Sequence, residues 1–198
     1  MQLIESSILN FDNSGTISSN KGINLSQSNA TIDNFSNFGT ISGSEVAITT
    51  SGKINTFTNQ GLIQATGNGR WSNGMWISAS ATLDTFTNTG TIQSSGEDGI
   101  VMKGTINNFT NSGTIKSTGS LEPSTDDTVS SGMFLQSGTI KTLTNEGLIS
   151  GIVGIKISTS KINTLINTGI IESTSSNSLA AGISIATLSG SPSTINNF

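Results

Sequence analysis

Residues 105–115 read TINNFTNSGTI, and close relatives of that stretch recur at 53–63 (KINTFTNQGLI), 82–92 (TLDTFTNTGTI) and 161–171 (KINTLINTGII). Aligned on the motif asparagine, the copies give Asn13, Asn37, Asn59, Asn88, Asn111, Asn145 and Asn167. Two residues after each comes Gly15, Gly39, Gly61, Gly90, Gly113, Gly147 or Gly169, and two further on Ile17, Ile41, Ile63, Ile92, Ile115, Ile149 or Ile171. Two residues before stands Phe11, Phe35, Phe57, Phe86, Phe109, Leu143 or Leu165. A series that advances in steps of two on one face is strand spacing.

Each unit opens with an apolar residue three places before the aromatic position (Ile8, Ile32, Ile54, Leu83, Ile106, Ile140, Ile162) and closes with a second alternation, usually led by glycine. Its inward pairs read Ile23/Leu25, Val46/Ile48, Met75/Ile77, Ile100/Met102, Met133/Leu135, Ile155/Ile157 and Ile183/Ile185. Five apolar side chains on three short strands cannot be buried by one unit. Stacked units bury them: as coils of a parallel β-solenoid, equivalent positions lie ~4.8 Å apart and form continuous apolar columns. The asparagines then stack as an amide ladder at a turn, and the glycines permit the bends between strands. The expected fold is all-β, a parallel β-helix of seven to eight coils with three short strands each, in a single segment over 1–198. A β-sandwich of short strands with frequent turns leaves unexplained why one face position is Ile in all seven units.

Composition narrows the function. Of 198 residues only 10% are charged, the net charge is −4, and neither Cys nor His occurs. That removes thiol nucleophiles, imidazole bases, the usual zinc sites and disulfides, so no cofactor or metal is expected. The basic residues are few and scattered, which argues against nucleic acid. No apolar run reaches the ~18 residues of a membrane helix, and MQLIESSILNF has neither the basic leader nor the apolar core of a signal peptide.

The pattern I-x-x-F-x-N-x-G-x-I followed by a glycine-led alternation resembles the β-helical passenger repeats of autotransporters, above all the vacuolating-cytotoxin-like repeats of epsilonproteobacterial members, including adhesins of the Campylobacter type. The likeness extends over every repeat. It implies a right-handed helix, export across the outer membrane by a C-terminal β-barrel translocator, display on or release from the bacterial surface, and contact with a host cell-surface protein or glycan or with another copy. On this reading the chain is part of a longer passenger. STINNF at the end restarts the motif at Ile195 and Phe198, and Leu3 fits the last alternation of a preceding coil.

What varies between units is where function is expected. The asparagines are spaced 24, 22, 29, 23, 34 and 22 residues apart, and the steps from motif Ile to the second alternation run 6, 5, 12, 8, 18, 6 and 12. Loops 64–74, 116–132 and 172–182 therefore emerge at one edge of the prism, and insertions on one side of a repeat protein often mark a binding face. Beside that edge runs an outward column, Asn24, Ala47, Trp76, Val101, Phe134, Lys156 and Ser184. Trp76, Val101 and Phe134, with Trp71, Arg70, Asp126 and Asp127 from the loops, form the candidate contact face. The alternatives are that the loops fold over the apolar three, with Trp71 as a lid, or that the alternation slips locally.

Two other function classes are open to a β-solenoid. One is a polysaccharide-binding or polysaccharide-degrading β-helix using outward carboxylates, and degradation needs them paired. Asp33 and Asp84 share an outward column two coils apart, ~9–10 Å by strand spacing, whereas Glu97/Asp98 and Asp126/Asp127 read as solvated loop charges. The outward Thr pairs of TFT at 56–58 and 85–87 and TLT at 142–144 resemble ice-binding solenoids, but Asn10/Asp12, Asn34/Ser36 and Thr164/Ile166 interrupt the array. The expectation is a non-enzymatic adhesive scaffold.

Overall fold

A computed structural model of the chain describes residues 7–120, 129–176, 180–186 and 192–198. It is a parallel β-solenoid of about seven coils, with no helix among the described residues. One side is an eight-stranded parallel sheet built in chain order from Ser7–Asn13, Thr31–Asn37, Lys53–Asn59, Thr82–Asn88, Thr105–Asn111, Thr139–Asn145, Lys161–Asn167 and Thr194–Asn197. The register is that of the repeat: Ile106 lies beside Leu83 and Ile140, Phe109 beside Phe86 and Leu143, and Asn111 beside Asn88 and Asn145. Ile195 pairs with Ile162, so the motif does restart at the end. Leu3 lies outside the described residues.

The other two sides form a second parallel sheet. In the first two coils they are one continuous strand, Thr16–Leu25 and Thr40–Thr50, with a bulge between Ser19 and Lys21. In later coils the insertions divide them, as in Leu62–Ala65 and Asn73–Ile77, or Thr114–Ser117 and Ser131–Gln136. Most of the extra length does enter at one corner, with a smaller excess between Ala186 and Thr194.

Period-2 alternation sends Ile, Phe and Leu inward on all three sides, and the columns merge into one core running the length of the prism. Phe35, Phe57, Phe86 and Phe109 are fully buried at its centre. Ring centroids of neighbours are 4.3–4.7 Å apart, parallel for Phe35–Phe57 and Phe86–Phe109 and edge-on for Phe57–Phe86.

At the first corner the asparagines form the expected ladder. Each Nδ2 donates to Oδ1 of the next coil's asparagine at 2.8 Å, unbroken from Asn13 to Asn167. The glycines beside the ladder are required for a different reason than backbone freedom. None has a left-handed φ, but a Cβ on Gly39, Gly61, Gly90 or Gly113 would overlap the carbonyl oxygen of the glycine one coil earlier. Close coil-to-coil approach excludes a side chain there.

In the second coil the closing alternation differs from the sequence reading. The inward pair is Ile48/Thr50, in register with Ile23/Leu25 and Met75/Ile77, and the outward residue between them is Thr49. Val46 pairs with Lys21 and Asn73 one step earlier, and Ala47, fully buried, stands where Gly22 and Gly74 stand in the coils on either side. The glycine-led rule fails at that coil because its leader is alanine. Thr50 thereby occupies a core position, with its Oγ1 buried and without a hydrogen-bond partner.

Candidate functional site

The widest departure from the regular prism in the first three coils is the loop between Ala65 and Asn73. Ser72 ties it down, donating from Oγ to the Gly67 carbonyl at 2.8 Å. Glu97 of the next coil accepts the Trp71 N–H at Oε2, 2.8 Å away. Trp71 itself has a φ of 71°, the left-handed region that costs a non-glycine residue about 1–2 kcal/mol. The residue is 65% exposed. The strained backbone thus projects the largest apolar side chain outward, 6.0 Å from Trp76 with the ring planes tilted by 55°.

The two indoles line a cleft of 460 Å³ together with Lys21, Glu45, Val46, Thr49 and Arg70. Glu45, Lys21 and Arg70 are exposed, and Thr49 and Trp76 are half-buried. Thr49 belongs to this wall because of the register shift just described; it takes the outward position next to Trp76. Lys103, from the following coil, sets its Nζ 4.6 Å from the Trp76 ring centroid, a cation–π contact.

Trp76, Val101 and Phe134 do lie in one line, paired in register across three coils. They are not one exposed patch. Val101 is 2% and Phe134 9% exposed. Phe134 is flanked in register by Val101 and Lys156, and the Lys156 Nζ lies 4.8 Å from its ring. Near the same corner Val129, Ile152 and Val153 form a second small apolar cluster. Alternation sends Val101 and Phe134 away from the main core, but both are buried, Phe134 with the Lys156 ammonium over its ring, and they drop out of the accessible face. Trp71, Trp76 and Arg70 remain, brought together at one cleft. Asp126 and Asp127 lie outside the described residues.

Asp98 is not a solvated loop charge. It is 1% exposed, in the column just before the glycine of the closing alternation, with Asn73 and Ser131 in the equivalent places of adjacent coils. Its N–H donates to Asn73 Oδ1 at 2.9 Å, and its Oδ1 accepts the Ser131 N–H at 2.8 Å. Burial, with the Glu97 carboxylate beside it, pushes the Asp98 carboxyl well above the usual range, against the lowering effect of Ser131 and Lys156. A polar tract therefore joins the base of the Trp71 loop to the base of the next insertion. Asp-Gly and Asn-Gly read from sequence as turns, so the burial of this tract is not visible in the sequence.

Asp33 and Asp84 sit two coils apart with Asn55 between them. Asp33 Oδ1 accepts from Asn55 Nδ2 at 2.8 Å, and Asp84 Oδ1 from Asn107 Nδ2 at 2.7 Å. Lys53 Nζ is 3.3 Å from Asp84 Oδ2. Both carboxylates are held in coil-to-coil contacts. The Thr rows are in register on the same sheet, Thr58, Thr87, Thr110 and Thr144 in one and Thr56, Thr85 and Thr142 in the other, the latter broken by Asn108. Compared with protein-family models, curated proteins and solved structures, the chain matches none.

Proposed function

We propose that this chain is a segment of a surface-displayed or secreted bacterial passenger of the autotransporter kind, a non-enzymatic scaffold that makes adhesive contact with a host-cell surface or a second copy. The repeat pattern I-x-x-F-x-N-x-G-x-I supports the export class. The solenoid supplies a rod of fixed spacing, and specificity resides at the corner where insertions emerge. One observation carries the contact reading: Trp71, 65% exposed on a left-handed backbone, stands beside Trp76 at the rim of a cleft. Strained residues persist where the surrounding structure over-determines them, and they concentrate at functional sites. Exposed aromatic anchors are the residues that most often dominate an interface.

The competing reading, a polysaccharide-degrading β-helix using Asp33 and Asp84, finds little support. Each carboxylate is engaged by an asparagine of the neighbouring coil, and Asp84 also by Lys53. The test is attachment of fluorescently labelled protein to cultured epithelial cells, with sedimentation over a range of concentrations for self-association. Trp71→Ala is expected to lose most of whichever contact the wild type makes. Unchanged attachment and unchanged self-association would overturn the reading. Depolymerisation of a polysaccharide that is lost in the Asp33→Asn, Asp84→Asn double variant would replace it with the enzymatic one.

A further inference from the structure

The Trp71–Trp76 cleft has a chemistry more specific than general stickiness. Its two aromatic walls meet at 55°, Trp71 exposed and Trp76 half-buried. Around them stand Lys21, Arg70, Glu45 and Thr49, so a ligand meets apolar faces and hydrogen-bonding groups at once. A flat apolar peptide side chain would satisfy the indoles and waste the polar rim. A pyranose ring satisfies both, with its axial C–H face against an indole and its hydroxyls toward Glu45 and Thr49.

The charge at the rim narrows the class. The chain carries a net charge of −4 and has a single arginine, Arg70, which lies at this cleft with Lys21. Glu45 in the lining and Glu97, which accepts the Trp71 N–H, balance these two cations. Lys103, held against Trp76, tips the count to three cations against two carboxylates on an acidic protein. A guanidinium presents a planar fork of donors that matches a carboxylate. We propose that the cleft binds an acidic saccharide, a sugar whose ring stacks on Trp71 and whose carboxylate is taken by Arg70 and Lys21. This rests on the reading of the cleft as a contact site and names its ligand.

The chain's two tryptophans are both in the cleft, so intrinsic fluorescence reports on this site alone. The experiment titrates the protein with oligogalacturonate, hyaluronan oligosaccharides and sialyllactose, each beside a counterpart with esterified carboxyls. The expected result is a saturable fluorescence change with at least one acid form, and binding about tenfold or more weaker for its ester. Arg70→Ala should weaken the acid form by a similar factor and leave the ester almost unaffected, with Arg70→Lys intermediate. Trp71→Ala should abolish both, and circular dichroism checks that each variant keeps its strand signal. No response to any acid form overturns the inference. So does equal affinity for acid and ester, or equal competition by a polyglutamate peptide, which would reduce the site to unspecific charge. If saccharides fail while Trp71→Ala still abolishes cell attachment, the ligand class is wrong and the contact reading stands. If Trp71→Ala attaches as wild type does, the contact reading itself has failed.

Discussion

Asn111 donates to Asn145 at 2.8 Å across 34 residues of chain, the same distance at which Asn37 donates to Asn59 across 22. The ladder is indifferent to what is inserted between its rungs, because the insertions leave at another corner. Each rung also donates to the carbonyl of its own glycine, as Asn88 does to Gly90 at 3.3 Å. Asn88→Ala removes one donor and one acceptor from a fully buried column. Each orphaned buried group costs about 1–3 kcal/mol, so a loss of that order or somewhat more is expected in denaturant titrations. Asn167→Ala, on an exposed rung, should cost far less. Equal losses would show that the ladder contributes little beyond local turn geometry.

Inward and outward positions on the motif strand should separate cleanly. Phe86 is fully buried between Phe57 and Phe109, while Thr87 beside it is half-buried. Phe86→Ala is expected to destabilise by about 3–5 kcal/mol and Thr87→Ala by well under 1 kcal/mol. Similar urea midpoints for the two variants would contradict the alternation.

Thr50 offers a gain. Its hydroxyl is buried without a partner at a core position that is Leu25 in the preceding coil and Ile77 in the following one. Thr50→Val keeps the shape and removes the stranded hydroxyl, so it should raise stability by about 1 kcal/mol. Thr49→Val, one residue away on the cleft wall, should leave the melting temperature nearly unchanged. A stabilising Thr49→Val with a neutral Thr50→Val would restore the register read from sequence.

That register marks where the sequence ceased to be legible. Columns of Ile, Phe, Asn and Gly repeat with so little variation that period 2 alone identified the coils, the core and the corner from which insertions emerge. In the second coil the leader is Ala47 rather than glycine and the pair ends in Thr50, so Val46-Ala47-Ile48 read as the apolar alternation. Counting from Ile41 does not decide between them, since the steps of 5 to Val46 and 7 to Ile48 differ equally from the 6 of the first coil. The cleft was half legible. Trp71, Trp76 and Arg70 stood out as residues, but Lys21, Glu45 and Thr49 belong to two earlier coils and meet them only through stacking. Alternation gives the direction of Val101 and Phe134 and says nothing about what covers them.

Asp98 should make stability depend on pH in an identifiable direction. Its folded-state carboxyl titrates well above the ordinary value of 3.8. The folded chain therefore binds that proton more tightly than the unfolded chain. Its contribution is full below the ordinary value and is lost as pH rises through the raised one. Glu97 and Lys156 act on the same group in opposite senses. Asp98→Asn retains an Oδ1 acceptor for the Ser131 N–H without the charge. The melting temperature of the variant should exceed that of wild type near neutral pH, and the difference should shrink or reverse toward pH 4. A difference independent of pH would mean that the buried carboxyl does not titrate in this range.

Trp71 allows the strain and the contact to be measured separately. A left-handed backbone costs a non-glycine residue about 1–2 kcal/mol and costs glycine almost nothing. Trp71→Gly and Trp71→Ala both remove the exposed indole, but only the first relieves the φ of 71°. Part of that relief is offset by glycine's greater freedom in the unfolded chain. Trp71→Gly should therefore be more stable than Trp71→Ala by about 1 kcal/mol, while both lose partner binding to the same extent. Glu97→Gln tests the anchor, since it keeps an oxygen for the Trp71 N–H and removes only the charge; binding should survive it. If Trp71→Gly is no more stable than Trp71→Ala, the left-handed backbone carries no measurable strain. If Trp71→Ala keeps full affinity, the indole is a lid on Trp76, not the wall of a binding site.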